Sequence, residues 1–132
     1  MKEVLDSVFF ATHYGAEDPS ILERTRAKLS DLRRERRGLI PAVVMAEVAN
    51  FLCRKAGRRE AVSRLRAIEE YGLEIVPLDA AIAREAGLLR CAHRKVPIAD
   101  CIIAATALRA GGRVVSNDPH FERIKGLRVT WI

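Results

Sequence analysis

Apolar positions along the chain fall into two kinds of segment. Short runs occur at Val4-Leu5, Leu39-Ile40, Leu73-Glu74-Ile75-Val76, Arg113-Val114-Val115-Ser116 and Leu127 to Trp131. Their β-branched content and brevity predict strands. Between them lie longer segments in which apolar residues recur every three or four positions, the period of a helix with one buried face. Val8-Phe9-Phe10 opens the first directly after the first strand. Asp18-Pro19-Ser20 reads as an N-cap followed by proline at the first helical position, starting a helix through Ile21, Leu22, Thr25, Leu29 and Leu32 that ends near Gly38. Pro41 starts a helix carrying Val44, Glu47, Val48, Phe51 and Leu52 as far as Gly57, and another spans about Arg59 to Tyr71. Asp79 caps a helix reaching about Arg94, Pro97 begins one that stops at Gly111-Gly112, and Asp118-Pro119 begins a short last helix. Strands alternating with helices in this order imply an α/β domain whose mostly parallel sheet is covered on both faces.

Length and composition narrow the class. At 132 residues and 49% hydrophobic, residues 1–132 are expected to form a single domain. No apolar run reaches the roughly 18 residues that cross a bilayer, and Met1-Lys2-Glu3 leads into a strand instead of a signal peptide, so a cytoplasmic protein without a membrane partner is expected. Cys53, Cys91 and Cys101 are widely spaced and odd in number, which argues against a disulfide framework; they are expected to be buried, reduced, small hydrophobes.

Charge adds a hint about partners. The chain carries 23 Lys and Arg against 17 Asp and Glu, a formal charge of +6. The excess is clustered at Arg33, Arg34, Arg36 and Arg37, at Arg54, Lys55, Arg58 and Arg59, and at Arg90, Arg94 and Lys95. Clusters of this kind suit a protein that handles polyanions, although each taken alone is equally the solvated face of a helix.

Four acids break the pattern. Asp6 follows Val4-Leu5, Glu47 lies within Val43-Val44-Met45-Ala46-Glu47-Val48, Asp100 within Ile98-Ala99-Asp100-Cys101-Ile102-Ile103, and Asp118 follows Val114-Val115-Ser116-Asn117. Burying unpaired negative charge is costly, so such groups are neutralised, paired or bound to a cation. Asp6 and Asp118 follow predicted strands, at the carboxyl edge of a parallel sheet, where ligands bind in α/β folds. Glu47 and Asp100 lie six and three residues beyond Pro41 and Pro97 (47 − 41 and 100 − 97), near helix N-termini that point toward the same edge. Together they would hold Mg²⁺ or Mn²⁺, which favour carboxylate and water ligands. Each acid also has a structural alternative. Asp118 before Pro119 is a good N-cap and Asp6 can cap a helix from Ser7, whereas Asp100 and Glu47 sit in helices too apolar for such a role. Asp18 and Asp79 are explained as caps.

The ordered motifs Val4-Leu5-Asp6-Ser7, Ala46-Glu47-Val48, Ile98 to Leu108 and Ser116-Asn117-Asp118-Pro119-His120-Phe121 resemble those of PIN-domain nucleases, especially VapC-type toxins of toxin–antitoxin pairs. The likeness covers essentially the whole chain, and its most specific part is Asp100 followed 18 residues later (118 − 100) by Asp118. The resemblance implies a Rossmann-like three-layer α/β/α sandwich, metal-dependent cleavage of RNA, a homodimer, and inhibition by an antitoxin protein. It assigns Asp6, Glu47, Asp100 and Asp118 as the acidic quartet, with Ser7, Ser116 and Asn117 in support. Ser7 stands where threonine is frequent, and His120 where an aspartate often precedes the phenylalanine.

The chemistry open to such a quartet is metal-assisted phosphodiester hydrolysis in which no side chain acts as nucleophile. Among the histidines only His120 lies in a motif; contact with phosphate or a ligand is one use for it, and a plain surface or packing role is the commoner one. An aspartyl phosphatase would need a second acid at the position of Val8, and an NTPase a glycine-rich loop with lysine; both are missing. The remaining rival is a basic RNA-binding or regulatory module that does not cut. Apolar stripes on the helices Ile21 to Arg37 and Arg59 to Tyr71 exceed what the core needs and make them the expected homodimer surface.

Overall fold

The computed structural model describes all of residues 1–132. Its strands are β1 (Glu3–Leu5), β2 (Gly38–Pro41), β3 (Glu74–Val76), β4 (Arg113–Val115) and β5 (Arg128–Thr130). Helices α1 (Ser7–Gly15) and α2 (Pro19–Glu35) join β1 to β2, α3 (Ala42–Ala56) and α4 (Arg58–Glu70) join β2 to β3, and α5 (Ala80–Ala92) and α6 (Ile98–Ala110) join β3 to β4. The sheet is parallel throughout, in the order β3-β2-β1-β4-β5, with Val4 paired to Leu39 on one side and to Val114 on the other.

That order fixes the layers. From β1 the chain steps one way through β2 to β3, then crosses back and steps the other way through β4 to β5. Because such crossovers are right-handed, α1–α4 cover one face and α5 and α6 the other, giving a three-layer α/β/α sandwich. The direction of winding reverses between β1 and β4, and the crevice at their carboxyl ends is where a fold of this kind offers a binding site.

Local signals set the element boundaries. Asp18 Oδ1 accepts from Ser20 N at 2.9 Å and Asp79 Oδ1 from Ile82 N at 2.8 Å, each closing a helix N-terminus. Gly111 ends α6 in the left-handed conformation, φ 64°. Gly112 next to it lies so close to β1 that a Cβ would collide with the Lys2 carbonyl. The segment after Asp118 departs from expectation. Asp118 Oδ1 does accept from His120 N at 2.9 Å, as a cap would, but only a turn and the 3₁₀ segment Phe121–Arg123 follow before the chain enters β5.

One core cluster includes Leu5, Phe9, Phe10, Leu32, Ile40, Val44 and Ile103, and a smaller one gathers Ile82, Ala86, Val96, Cys101 and Ala104 between α5 and α6. Alanines let α6 lie close against both neighbours, and seven of its residues are buried, Asp100 among them. At the amino end of the sheet Glu3, fully buried, receives Lys28 Nζ at 2.9 Å and Arg113 Nε at 2.7 Å, with Arg37 Nη1 at 3.6 Å.

Two expectations need correction. Only Cys101 is buried; Cys53 and Cys91 sit on solvent-facing sides of α3 and α5. The apolar stripes of α2 and α4 are largely absorbed, since Leu32, Ala61 and Ile68 are buried and Ile21, Leu22, Leu29 and Leu65 half-buried, leaving Val62 as their exposed large hydrophobic residue.

Candidate metal centre

All four expected acids line one cavity of about 850 Å³ at the carboxyl edge of the sheet, together with Ser7, Asn50, Phe51, Arg54, Lys55 and His120. Asp6 enters from the end of β1. Its Oδ1 accepts from Ser7 N at 2.7 Å and its Oδ2 from Ser116 Oγ at 2.7 Å. Ser116 Oγ in turn accepts from Asp118 N at 3.0 Å. An amide N–H can only donate, so the hydroxyl proton is directed to Asp6. One buried serine thereby ties the loop after β4 to the loop after β1, across the point where the winding reverses.

Asp100 is the third residue of α6, in its first turn, where the helix dipole favours a negative charge. Its Oδ2 lies 2.8 Å from His120 Nδ1, which is also 3.2 Å from Asp118 Oδ1. A ring nitrogen between two carboxylate oxygens is placed to donate. Glu47, in the second turn of α3, completes the group from another side, and its Oε1 is buried without any hydrogen-bond partner. A buried polar oxygen left unpaired costs about 1–3 kcal/mol, more when charged, so it marks a site completed by something else.

Electrostatics point the same way. Burial pushes the Asp6 carboxyl above the usual range; the hydrogen bonds from Ser116 and Ser7 work against this, and repulsion by Asp118 adds to it. Glu47 is raised first by burial and then by Asp6, Asp100 and Asp118, with the Ser7 hydroxyl acting in the opposite direction. Asp100 is raised by burial and by Asp6 and Asp118, against the relief supplied by His120. Each of the three feels its acidic neighbours, so the convergence is electrostatic as well as spatial.

The family profile of the PIN domain matches residues 4–127. The chain belongs to the PIN-domain family. No curated protein is a significant sequence match, but solved structures with this fold are plentiful. VapBC2 from Rickettsia felis, bound to a DNA fragment from its promoter, superposes with a TM-score of 0.80 at 21% identity, over 99% of this chain and 98% of that one. A toxin–antitoxin complex from Klebsiella pneumoniae gives 0.71 at 15% identity, covering 98% and 96%. VapC20 from Mycobacterium tuberculosis, a toxin that cleaves the sarcin–ricin loop, gives 0.70 at 20% identity, covering 89% and 90%. At these identities the likeness establishes the fold.

Within this PIN domain the donor set suits a hard or borderline divalent cation. Donor atoms of Asp100, Asp118 and His120 all lie within 4.8 Å of one another, whereas Asp6 and Glu47 line the same cavity outside that close group, Glu47 with its orphaned Oε1. One expected supporting residue, Asn117, and one residue outside that set, His120, fare differently from expectation. Asn117 is exposed and does not line the cavity. His120, for which a surface or packing role is the commoner use, instead bridges Asp100 and Asp118. Its place beside Asp118 in the motif was the available signal; that it reaches Asp100, twenty residues earlier, is visible only in three dimensions.

Proposed function

We propose that this PIN domain, residues 1–132, is a metal-dependent endoribonuclease and the cytoplasmic toxin of a VapBC-type toxin–antitoxin pair. The observation that carries the reading is the buried, unpartnered Glu47 oxygen among three further carboxylates, of which two have raised pKa values. Asp6, Glu47, Asp100 and Asp118 would hold Mg²⁺ or Mn²⁺. Such an ion supplies an activated water and neutralises charge at the phosphodiester. The chain's own residues prepare the site. Ser116 and Ser7 fix the orientation of Asp6, and His120 holds Asp100 and Asp118 in a shared geometry. Arg54 and Lys55 lie at the cavity wall, where they would meet RNA backbone phosphates without reading sequence.

The toxin assignment draws on the solved relatives, several of which are toxin–antitoxin complexes and one a toxin that cleaves RNA of the sarcin–ricin loop. An antitoxin partner and a homodimer belong to the same reading. A neighbouring gene encoding a short DNA-binding protein, which forms a complex with this chain when the two are co-expressed, is the expected finding; a strict monomer in sedimentation at high concentration would remove the homodimer.

The decisive experiment titrates the purified chain with Mg²⁺ and with Mn²⁺ by calorimetry, then assays cleavage of a mixed RNA by wild type and Asp100→Asn. Saturable metal binding and a loss of about 10³-fold in cleavage by the variant, several kcal/mol of transition-state stabilisation, are expected. Undiminished cleavage by the variant would take Asp100 out of the mechanism. A wild type that binds metal and RNA but cuts no RNA would favour the non-catalytic RNA-binding module on the same fold.

A further inference from the structure

The cavity is far larger than a divalent ion needs, and it is bipolar. At one end stand the carboxylates; at the other are Arg54 and Lys55, both exposed, with Phe51 between them. The spacing along α3 explains the order. Glu47, Phe51 and Lys55 are four residues apart and Arg54 is seven beyond Glu47, so all fall on adjacent positions of one helix face. At 1.5 Å per residue, Phe51 and Lys55 lie about 6 and 12 Å from Glu47 along the axis. The opposing wall is α1, which presents Ser7 and the small Ala11 to the same cavity and packs against α3. Further along α1, Gly15 leaves the space that Lys55 Nζ occupies, since a Cβ there would sit 3.2 Å from that nitrogen.

Phe51 is half-buried: part of it packs on the core while it also lines the cavity, with Lys55 Nζ 5.6 Å from the ring centre. An acidic end for a cation cannot by itself account for an aromatic ring followed by two cations that have no carboxylate partner, one of them, Lys55, lying over the ring. A polyanion of alternating phosphates and flat rings accounts for all three features, with one phosphate at the acids, the adjoining base on the ring and the next phosphate at the cations.

We infer that Phe51 is a stacking platform for the base next to the scissile phosphate, with Arg54 and Lys55 gripping the phosphate beyond it. This rests on the reading of the cavity as a ribonuclease site and goes further in naming the residues that hold the strand.

The test measures binding by the full chain in the Asp100→Asn background with Mg²⁺ present, so that the strand stays intact. The probe is a short single-stranded RNA of mixed sequence carrying a fluorescent purine analogue whose emission is quenched on stacking. The expected results are quenching on binding and a loss of about 5- to 150-fold in affinity with the quenching abolished in Phe51→Leu, the range spanned by base stacking on an aromatic ring. Phe51→Trp restores both, an outcome that core packing alone does not produce. Arg54→Ala and Lys55→Ala each lower the slope of log affinity against log salt by about 0.7. Binding and quenching unchanged in Phe51→Leu would overturn the inference while leaving the ribonuclease reading in place. Failure of the Asp100→Asn chain and of wild type to bind any RNA would overturn both. Should Phe51→Leu fail to fold, as thermal melting reports, Phe51→Trp and the two cation variants carry the test: an unchanged salt slope together with no quenching in Phe51→Trp overturns it.

Discussion

β1 has a buried carboxylate at each end, and the two are treated in opposite ways. Glu3, at its start, is fully enclosed yet meets Lys28, Arg113 and Arg37; burial raises its pKa, but hydrogen bonds from Lys28 and Arg113 outweigh that and hold the carboxyl below the usual range. Asp6, just past its end, is 2% exposed and has only neutral donors, Ser7 N, Ser7 Oγ and Ser116 Oγ, while Glu47, Asp100 and Asp118 share its cavity. Its carboxyl lies above the usual range. One end of the sheet is electrically closed by the chain itself. The other is left short of positive charge, which is what a site for a cation and its phosphate substrate requires.

The contrast can be broken by isosteric neutralisation at each end. Glu3→Gln removes a charge that three cations stabilise, and should lower stability by about 2 kcal/mol, read as a shift in the urea midpoint at constant slope. An unshifted midpoint would mean that the cations around Glu3 are satisfied by solvent. At the other end, His120→Ala removes the group that bridges Asp100 and Asp118 and should weaken Mn²⁺ binding about 10-fold in calorimetry, with the carboxylates intact. Tighter Mn²⁺ binding in the variant would show that the histidine competes with the ion. Glu47→Gln removes the orphaned charge and relieves repulsion, so the metal-free protein should gain about 1 kcal/mol while metal affinity falls. A metal-free Glu47→Gln protein that melts below wild type would contradict the account of a charge-deficient pocket.

The smallest effect is the pH dependence, and its sign differs between the ends. Asp6, Glu47 and Asp100 have folded-state pKa values above their ordinary 3.8, 4.5 and 3.8, so the folded state binds more protons in the window just above those values and their unfavourable contribution fades as pH falls through it. Glu3 has a lowered pKa; its contribution is complete above 4.5 and is lost as pH falls through its folded-state value. Metal-free protein should therefore gain stability on mild acidification and lose it on stronger acidification. Saturating Mn²⁺ should remove the gain, because a bound cation favours the deprotonated carboxylates. Thermal melts across the acidic range check this, and a monotonic loss of stability in metal-free protein from neutral pH downward would contradict it.

Much of this was legible in the chain because the signals are local. Asp18-Pro19 and Asp79 start helices by capping amides two or three residues away, Gly111 stops α6 by its own backbone freedom, and apolar spacing reports each element's buried face. The same locality made Asp100 conspicuous, as an acid in a helix apolar nearly all round. Asp6 and Asp118 were less distinct because each also makes a turn or cap bond, to Ser7 N and to His120 N, so the cap reading and the site reading describe the same two side chains. Glu3 gave no signal, since nothing near it in sequence reveals that Lys28 and Arg113 will close over it.

By itself, then, the amino-acid sequence determined the elements, their alternation, and which acids stand in apolar surroundings, all of which depend on interactions within a few residues. Only the tertiary structure decided that Glu3 is neutralised and Glu47 is not, that His120 reaches Asp100, that Asn117 turns away, and that Phe51, Arg54 and Lys55 share the cavity with the acids. Those outcomes depend on the strand order β3-β2-β1-β4-β5, which sets side by side loops more than a hundred residues apart in sequence, such as those of Asp6 and Ser116 (116 − 6 = 110). Charge pairing over such separations is settled by packing, because the electrostatic energy of a buried group depends on what the fold brings within a few ångströms of it.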